Sequence, residues 1–348
     1  MVQALSLAAL LVVIEKVAKQ LALQRENEAL REHIRQMTPE CTGDLVAGSH
    51  AMANVLEMVQ DIAPTDAAVL LTGETGTGKE LVARAIHAGS ERAYGPFVVI
   101  NCGAQSDSLL ESALFGHEKG AFTGAANAQR GRLEMADGGT LFLDEVGEIP
   151  HKMQLDLLRV LEDGEFTRLG GTQSLRSDFR LVCATHRDLP ARIQEGAFRA
   201  DFYYRINVFE VKLPPLRERD GDVALLASYF VDHFAAKLGR NIEGFTPEAK
   251  RLLQRYAWPG NVRELRNVVE RAVVICRDAH IGAPELSFLE ATAPTTPTGL
   301  SLREAEIRHI QQALEARNWN ITRTAMALDV DRATLSRKIK RFGLRRPS

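Results

Sequence analysis

The stretch Ala68-Val-Leu-Leu-Thr-Gly-Glu-Thr-Gly-Thr-Gly-Lys-Glu80 decides how this chain folds. Its first five residues form a short apolar run that is typical of a buried parallel strand. The segment Gly73–Glu80, the phosphate-binding loop, is rich in glycine and opens a helical pattern. Such a loop wraps its backbone N–H groups around phosphates, and its lysine, here Lys79, reaches the β- and γ-phosphates. The sequence therefore predicts a nucleotide site on a strand–loop–helix unit.

The phosphate-binding loop departs from the common pattern at one position. Loops of this kind usually place Ser or Thr after the lysine as a magnesium ligand, and this chain has Glu80 there. Magnesium binding is therefore expected to depend on Glu80 together with a group further along the chain. The loop residues expected to bind ATP are Gly73, Glu74, Thr75, Gly76, Thr77, Gly78, Lys79, Glu80 and Leu81.

An acidic pair, Asp144-Glu145, follows the apolar run Thr140–Leu143. A carboxylate at the carboxyl end of a parallel strand faces the ligand crevice. Asp144 is therefore expected to hold Mg²⁺, and Glu145 to orient or deprotonate the attacking water. The alternative, an acidic strand end that only caps a turn, is disfavoured by the pairing with the Lys79 loop. Asn101, at the end of a neighbouring strand, is expected to hydrogen-bond Glu145 and hold it inactive.

Apolar runs alternate with helical stretches over residues 45–215, which predicts a three-layer α/β domain with a parallel sheet. The predicted strands are Ala68–Thr72, Pro96–Ile100, Thr140–Leu143 and Phe179–Cys183. The pattern then becomes helical without strands, which predicts an all-α lid. A Pro/Thr-rich linker and a second helical module follow. The predicted organisation is a helical or coiled-coil segment at 1–44, the α/β core at 45–215, the lid at 216–285, the linker at 286–300 and the last module at 301–348.

Composition describes an ordinary soluble protein: of 348 residues, 45% are hydrophobic and 25% charged, with a net charge of −2. The four cysteines lie far apart, which favours a reducing cytoplasm and argues against a zinc site. The apolar segment Ala4–Ile14 is too short to span a bilayer and lacks the features of a signal peptide. A cytoplasmic protein without membrane contact is therefore expected.

The N-terminal segment has a short heptad pattern, in which one core position is polar. Its members are Leu23, Asn27, Leu30, Ile34 and Met37. A polar core residue fixes register in paired helices, so the segment can form a dimeric coiled coil. A single amphipathic helix that lies on the next domain is the alternative, and the sequence leaves both open.

The C-terminal module is predicted to be a helix at 302–317 followed by a helix-turn-helix, with helices at Thr322–Leu328 and Asp331–Arg341. Asp331 is a plausible N-cap, and Leu335 and Ile339 repeat at helical spacing toward the core. Residues 331–346 carry seven Lys or Arg against one Asp. A solvated basic face is the alternative, but the helix pair favours DNA. The expected DNA contacts are Arg332, Thr334, Ser336, Arg337, Lys338, Lys340 and Arg341.

The segment Gly120-Ala-Phe-Thr-Gly-Ala125, loop 120–125, is a run of small residues around one aromatic side chain. It supplies little apolar volume to a core, whereas its glycines allow it to fold up or extend. We expect it to contact another protein, with Phe122 at its tip, and to be moved by nucleotide hydrolysis.

Five ordered motifs give the chain a family resemblance. It resembles the bacterial enhancer-binding proteins, the AAA+ activators of sigma-54 RNA polymerase, over about residues 45–285, and its last module is similar to their Fis-type domain. The motifs are Gly73–Glu80, Gly116–Ala125, Asp144-Glu145, Leu213–Arg219 and Trp258–Asn267.

The resemblance implies residue roles. The sigma-54 contacts would be Gly120, Ala121, Phe122, Thr123, Gly124 and Ala125. Arg199 and Arg205 look like arginine fingers inserted into a neighbour's ATP site, since guanidinium grips phosphate oxygens; salt bridges to Asp201 or other acids are the alternative. Arg263 resembles the lid arginine that senses nucleotide, and Thr185 takes the first sensor position. His186 stands where the family often has Asn. Gly164–Gly171, loop 164–171, resembles the second loop that moves with the first.

The expected function is that of an ATPase, with ATP and Mg²⁺, that binds enhancer DNA and remodels the sigma-54 closed complex into an open one. It would act as a dimer that assembles into a hexameric or heptameric ring. Two alternatives stay open: a DNA-binding regulator that does not engage sigma-54, and a different AAA+ ATPase such as a replication initiator or chaperone. About 45 residues precede the α/β core, too few for a receiver domain. Either control comes from a partner, or the chain is part of a longer two-component protein with a sensor kinase.

Overall fold

The computed structural model describes residues 45–122, 125, 127–287 and 289, and then 306, 307, 310, 311, 313, 314, 317, 319–328, 330–342 and 344. The chain divides into two compact units, residues 1–291 and 292–348. The predicted N-terminal coiled coil, the linker from residue 290 to 300, Thr123 and Gly124 lie outside the described residues, as does most of the predicted helix at 302–317.

The first unit contains an α/β part followed by a helical part. Its helices are α1 His50–Ile62, α2 Lys79–Ala88, α3 Asp107–Phe115, α4 Arg132–Met135, α5 His151–Asp163, α6 Leu189–Gln194, α7 Ala200–Ile206, α8 Asp222–Leu238, α9 Pro247–Arg255 and α10 Asn261–Ile275. Its strands are β1 Val69–Thr72, β2 Phe97–Asn101, β3 Gly116–His117, β4 Gln129–Arg130, β5 Thr140–Asp144, β6 Glu165–Thr167, β7 Ser174–Arg176, β8 Arg180–Thr185, β9 Phe209–Lys212, β10 Gly244–Phe245 and β11 His280–Ile281. Short 3-10 turns occupy Val146–Glu148, Leu216–Glu218 and Pro284–Leu286.

The main sheet of the described residues has five parallel strands in the order β2-β5-β8-β1-β9. This confirms the predicted α/β class and all four predicted strands. The edge strand β9 was not predicted, because only Val211 of its Phe-Glu-Val-Lys sequence is buried. An edge strand has one partner and tolerates exposed polar residues, so its sequence lacks a continuous apolar run.

Helices cover both faces of this sheet because its strands bury side chains on both sides. Leu70 and Leu141 face one apolar cluster, which includes residues of α3 and α5. Val69, Leu71 and Phe142 face the other, together with α1 and α2. All five of these side chains are at most 1% exposed. The sheet therefore forms the middle layer of three, as the alternating pattern predicted.

The helical part of the first unit, residues 216–289, packs α8, α9 and α10 around Trp258, which is fully buried. The indole Nε1 of Trp258 donates to the Leu253 carbonyl oxygen at 2.9 Å, so its one polar group is satisfied inside the core. The prediction of a lid without strands is wrong in one detail: β10 and β11 form a two-residue parallel pair. Two residues are too few to leave a periodic signal.

The second unit contains α11 Ile321–Ala327 and α12 Arg332–Phe342. The Asn320 side chain caps α11 by accepting from the Arg323 N–H at 3.1 Å. As predicted, Leu335 is fully buried and Ile339 packs against the same small core. The turn residue Asp329 lies outside the described residues.

In the part of the chain that the structure describes, no helix is long and apolar enough to span a membrane. The apolar segment Ala4–Ile14 lies outside that part.

Candidate functional site

A cavity of ≈ 380 Å³ opens between the phosphate-binding loop, the sheet edge and the lid. Of the residues predicted to form the site, it brings together Thr75, Gly76, Thr77, Gly78, Lys79, Glu80, Leu81, Asn101, Asp144, Glu145 and Arg263. Gly73, Glu74 and Thr185 lie beside it rather than in its wall. Parallel strands end at one edge of the sheet, so the ends of β1, β2 and β5 place these groups in one crevice.

The phosphate-binding loop closes tightly before α2. Gly76 and Gly78 have φ of 81° and 99°, a left-handed conformation that favours glycine. A Cβ at Gly76 would lie 2.3 Å from the Gly260 carbonyl oxygen, so the lid contacts the loop backbone directly. Lys79 is buried, and its Nζ donates to the Gly73 and Glu74 carbonyl oxygens, each at 2.9 Å. Burial lowers the pKa of Lys79, while Asp144 and Glu145 oppose the shift.

The predicted hydrogen bond between Asn101 and Glu145 is wrong in this structure. Asn101 Nδ2 donates to Asp144 Oδ2 at 3.2 Å instead. The parallel register pairs Asn101 directly with Asp144, so the amide reaches the first carboxylate of the pair. Glu145 is past the strand, in a left-handed conformation with φ of 56°, and its Oε2 approaches the backbone of Gly103. Burial raises the pKa of the Asp144 carboxyl.

The two predicted magnesium ligands are placed differently. Both residues line the cavity, but the Glu80 carboxylate is paired with Arg84 at 2.7 Å. Among the described residues, no group of three or more His, Cys, Asp or Glu side chains could hold a metal ion. Mg²⁺ commonly binds through one or two carboxylates and the phosphates of its nucleotide, and Asp144 fits that arrangement. The Glu80 carboxylate fits this arrangement only if its ion pair with Arg84 breaks.

The predicted sensor residues lie at the end of β8 and the start of α10. Thr185 is buried, and its Oγ1 accepts from the Arg187 N–H at 3.0 Å. His186 lines the cavity although its side chain is exposed to solvent. Arg263 reaches the cavity from the first turn of α10. Two of these three groups can therefore meet a nucleotide in the cavity without a change of fold.

Both candidate arginine fingers are engaged within their own chain. The Arg199 guanidinium makes two hydrogen bonds to Asp201, at 2.9 and 2.6 Å. This is the salt bridge that the sequence left as an alternative, and it raises the pKa of Arg199. Arg205 donates to the Leu161 carbonyl oxygen. Neither of these two described side chains lines the cavity.

The residues on the apolar side of the cavity were not predicted; Val46 precedes α1 and the others belong to the lid. Val46, Leu226, Tyr229, Phe230 and Val262 line it, an apolar surface suited to a flat ring such as a nucleotide base. The apolar stripe of α8 is visible in the sequence, but its role depends on where the lid packs. His233 and Arg266, which also line the cavity, were missed for the same reason.

Loop 120–125 is described at four of its six positions. The Gly120 N–H donates to the Ala125 carbonyl oxygen at 2.9 Å, and the Ala125 N–H donates to that of Phe122 at 3.0 Å. Phe122 is 43% exposed and meets the His117 ring edge-on, with centroids 5.0 Å apart. His117 is buried, within 2.9 Å of Ser112 Oγ, so it packs at the base of the loop.

The C-terminal helix α12 carries the predicted DNA contacts on one element. Arg332, Arg337, Lys340 and Arg341 are exposed, whereas Thr334, Ser336 and Lys338 are half-buried. The Lys338 ammonium pairs with Glu306. Four exposed cations therefore lie along the helix with the charge distribution that phosphate contacts require.

Fold and site together define a P-loop ATPase with a helical lid, followed by a helix-turn-helix. Three family models match the chain: the sigma-54 interaction domain at residues 45–212, the AAA+ ATPase lid domain at 217–298 and the bacterial regulatory protein, Fis family, at 301–342. The chain belongs to the sigma-54-dependent transcriptional activators: it is an AAA+ ATPase that binds DNA through a Fis-type helix-turn-helix.

Several characterised proteins are similar over nearly all of this chain. The transcriptional regulatory protein ZraR of Escherichia coli is 48% identical over 312 residues, which cover 87% of this chain and 70% of ZraR. The regulatory protein AtoC of E. coli is 44% identical, covering 94% of this chain and 74% of AtoC. The crystal structure of NtrX from Brucella abortus in complex with ATP is 36% identical, with a TM-score of 0.68 over 98% of this chain and 77% of NtrX.

Proposed function

We propose that this activator forms a ring of six or seven subunits, built from dimers, that hydrolyses ATP to convert the sigma-54 closed complex into an open one. The observation that supports this best is the shared cavity. Lys79, Asp144 and Glu145 meet there under a lid, and loop 120–125 carries an exposed aromatic side chain on the same unit. This combination suits an ATPase that acts on another protein.

Nucleotide binding is proposed at the phosphate-binding loop. The N–H groups of residues 76–79 and the N-terminus of α2 would hold the phosphates. Lys79 would move from its two loop carbonyl oxygens to the β- and γ-phosphates. The apolar lining at Val46, Tyr229 and Phe230 would hold the base. The ATP and ADP complexes of NtrX from B. abortus, which shares this fold, support ATP as the nucleotide.

Hydrolysis is proposed to use the acidic pair at the end of β5. Asp144 would hold Mg²⁺ with the nucleotide phosphates, and the ion would neutralise charge that develops on them. Glu145 would orient or deprotonate the attacking water. Asn101 would keep the Asp144 carboxylate in place through the bond observed at 3.2 Å. Arg263 and His186, both in the cavity wall, would contact the terminal phosphate from opposite parts of the chain.

The ring is proposed to complete each site with Arg199 and Arg205 of a neighbouring subunit. Arg199 would leave Asp201, a bond that is largely exposed to solvent and therefore weak. The phosphate would offer Arg199 a strong, bidentate charge-assisted partner in place of Asp201. The N-terminal segment 1–44 would add a dimer contact.

Loop 120–125 is proposed to contact sigma-54, with Phe122 and Thr123 as its main contacts. Residues Arg332–Arg341 of α12 would contact an enhancer site, and a dimer of such helices would read a two-fold symmetric sequence. A sensor kinase is proposed as the source of the signal if a receiver domain precedes this chain in the cell. The proposed domains are those predicted, with the α/β core at 45–215, the lid at 216–285 and the DNA-binding module at 301–348, in a protein of the cytoplasm.

The proposal is tested with purified chain, sigma-54 RNA polymerase and a supercoiled promoter, with strand opening detected by permanganate. The unaltered chain should open the promoter only with hydrolysable ATP. Glu145→Gln should bind ATP without hydrolysis or opening. Phe122→Ala should hydrolyse ATP at an unchanged rate but should not open the promoter. Opening by the Glu145 variant, or opening with a polymerase that carries another sigma factor, would contradict the proposal.

A further inference from the structure

Five successive carbonyl oxygens of the phosphate-binding loop, those of residues 73–77, each accept a hydrogen bond. Lys79 supplies the donor for residues 73 and 74 from within the loop. The lid supplies the next three. Asn261 Nδ2 donates to the Thr75 oxygen at 3.1 Å, and the N–H groups of Val262 and Arg263 donate to that of Gly76 at 3.0 and 3.3 Å. Arg219 Nη2 donates to the Thr77 oxygen at 2.7 Å.

These lid contacts determine the direction of the loop N–H groups. In a trans peptide unit the C=O of one residue and the N–H of the next point in opposite directions. When the carbonyls of residues 75–77 are held toward the lid, the N–H groups of residues 76–78 point the other way. Those are the groups that surround phosphates in loops of this kind. The lid therefore sets the orientation of the phosphate donors.

Both the backbone conformation and the side chain of Asn261 contribute to this contact. It is fully buried and has φ of 53°, a left-handed conformation that Asn tolerates better than most residues. Its Oδ1 accepts from the Leu216 N–H at 2.8 Å, and its Nδ2 donates to Glu74 Oε2 at 3.0 Å as well as to Thr75. The Leu216 donor and the Thr75 acceptor leave one orientation for the amide. Asn261 does not belong to the described residues that line the cavity, so it acts on a nucleotide only through the loop.

Arg219 makes the second contact, and unlike Asn261 it also lines the cavity. Its side chain is 5% exposed, and its Nε donates to the Pro214 carbonyl oxygen at 2.9 Å. The guanidinium therefore spans the chain segment that enters the lid and the Thr77 peptide. A planar group with donors in fixed directions can hold both carbonyls at once, which a lysine ammonium cannot do in the same geometry.

We infer that Asn261 and Arg219 are positioning residues for ATP binding: through the loop carbonyls they aim the phosphate-binding N–H groups, so that phosphate affinity depends on the position of the lid. The inference rests on the proposed nucleotide site. Loss of either side chain should lower the affinity for the phosphates and leave the contacts to the base unchanged.

The test compares ATP and adenosine affinities, by calorimetry and by ligand-observed NMR. Asn261→Gly removes the amide and keeps the left-handed backbone accessible, and Arg219→Lys keeps the charge. Both substitutions should lower the affinity for ATP by about tenfold or more, as expected for lost hydrogen bonds to the loop. The affinity for adenosine should change by less than about twofold. Val269→Ala, a buried lid-core change away from the loop, controls for lid stability and should keep the ratio of the two affinities.

The outcomes separate the inference from the proposed site. Equal losses of ATP and adenosine affinity, or an unchanged ratio in both variants, would overturn the inference. If Asn261→Gly does not fold, as judged by circular dichroism, Asn261→Ser takes its place, because Arg219 lines the cavity and can meet a phosphate directly. Unchanged ATP binding in Lys79→Ala would instead contradict the nucleotide site itself.

Discussion

A single buried carboxylate, Asp222, joins the lid to the segment that precedes α1. It is fully buried and accepts three hydrogen bonds: from the N–H groups of Gly48 and Ser49, both at 2.8 Å, and from Ser49 Oγ at 2.9 Å. Leu45 and Val46, immediately before these donors, line the apolar side of the cavity. Replacing Asp222 should therefore affect both stability and nucleotide binding.

The expected magnitudes differ between two substitutions. Asp222→Ala leaves the buried Ser49 N–H and hydroxyl without an acceptor, at roughly 1–3 kcal/mol for each unsatisfied group, while the N–H of Gly48, an exposed residue, can reach water. A loss of about 2–6 kcal/mol in the free energy of unfolding follows from these two groups. Asp222→Asn keeps one oxygen for both backbone donors, and the Ser49 hydroxyl can rotate to accept from the new amide. Only the charge assistance is lost, about 1–2 kcal/mol.

The assay is urea unfolding of both full-length variants, followed by circular dichroism, with ATP affinity measured in parallel. Asp222→Ala should bind ATP weakly because Leu45 and Val46 are no longer anchored, whereas Asp222→Asn should bind it nearly as the parent does. Asp220→Ala, an exposed acidic position two residues earlier, is the control and should stay within about 0.5 kcal/mol of the parent. Equal destabilisation by the Asn and Ala variants would refute the assignment of three accepted hydrogen bonds.

Three further predictions concern the site and the DNA-binding helix. Arg199→Ala should abolish the rise of ATPase rate with protein concentration, whereas the control Asp201→Ala should keep that rise. Mixing the Arg199→Ala and Glu145→Gln variants should restore part of the activity. No recovery on mixing would exclude a site shared between subunits. Because burial holds the pKa of Asp144 above 3.8, its carboxylate becomes protonated at a higher pH than an exposed aspartate. Magnesium-dependent ATP binding should therefore weaken as the pH falls through the raised pKa of Asp144, and titration calorimetry should show proton release on binding at acid pH. Arg337→Ala should lower the slope of log K against log salt for DNA by about 1, and an unchanged slope in a filter-binding series would argue against a phosphate contact.

Much of the fold was predictable because its central strands are buried on both faces. The runs at residues 69–71 and 141–143 are apolar throughout, and the helices between them follow from their own periodicity. The edge strand Phe209–Lys212 escaped because burial on one side leaves an alternating, half-polar sequence. Prediction therefore failed at this edge of the sheet, whereas the other edge strand, Phe97–Asn101, was predicted because alternate residues of it are buried.

The site was predictable only as far as its motifs extend along the chain. Lys79, Asp144 and Glu145 each follow a strand, so their shared crevice could be expected from topology. The hydrogen-bond partner of Asn101 could not be predicted in this way, because it depends on which residue the strand register places opposite Asn101. Asn261 contacts Glu74 across 187 positions, and such a contact requires the packed lid. A single sequence does not specify that packing.

The two surface loops are joined at their bases, which restricts how loop 120–125 can move. The Glu118 N–H donates to the Leu169 carbonyl oxygen at 3.0 Å, and Leu169 in turn donates to Gly116 at 3.0 Å. The Arg168 guanidinium adds hydrogen bonds to Glu118 at 2.9 Å and to Glu134 at 2.8 and 2.7 Å. Displacing one base while the other stays fixed would break two backbone hydrogen bonds and an ion pair at once, so the two loops are expected to move as one body. A force exerted on sigma-54 would then be transmitted through both loops, although the exposed aromatic Phe122 belongs to loop 120–125.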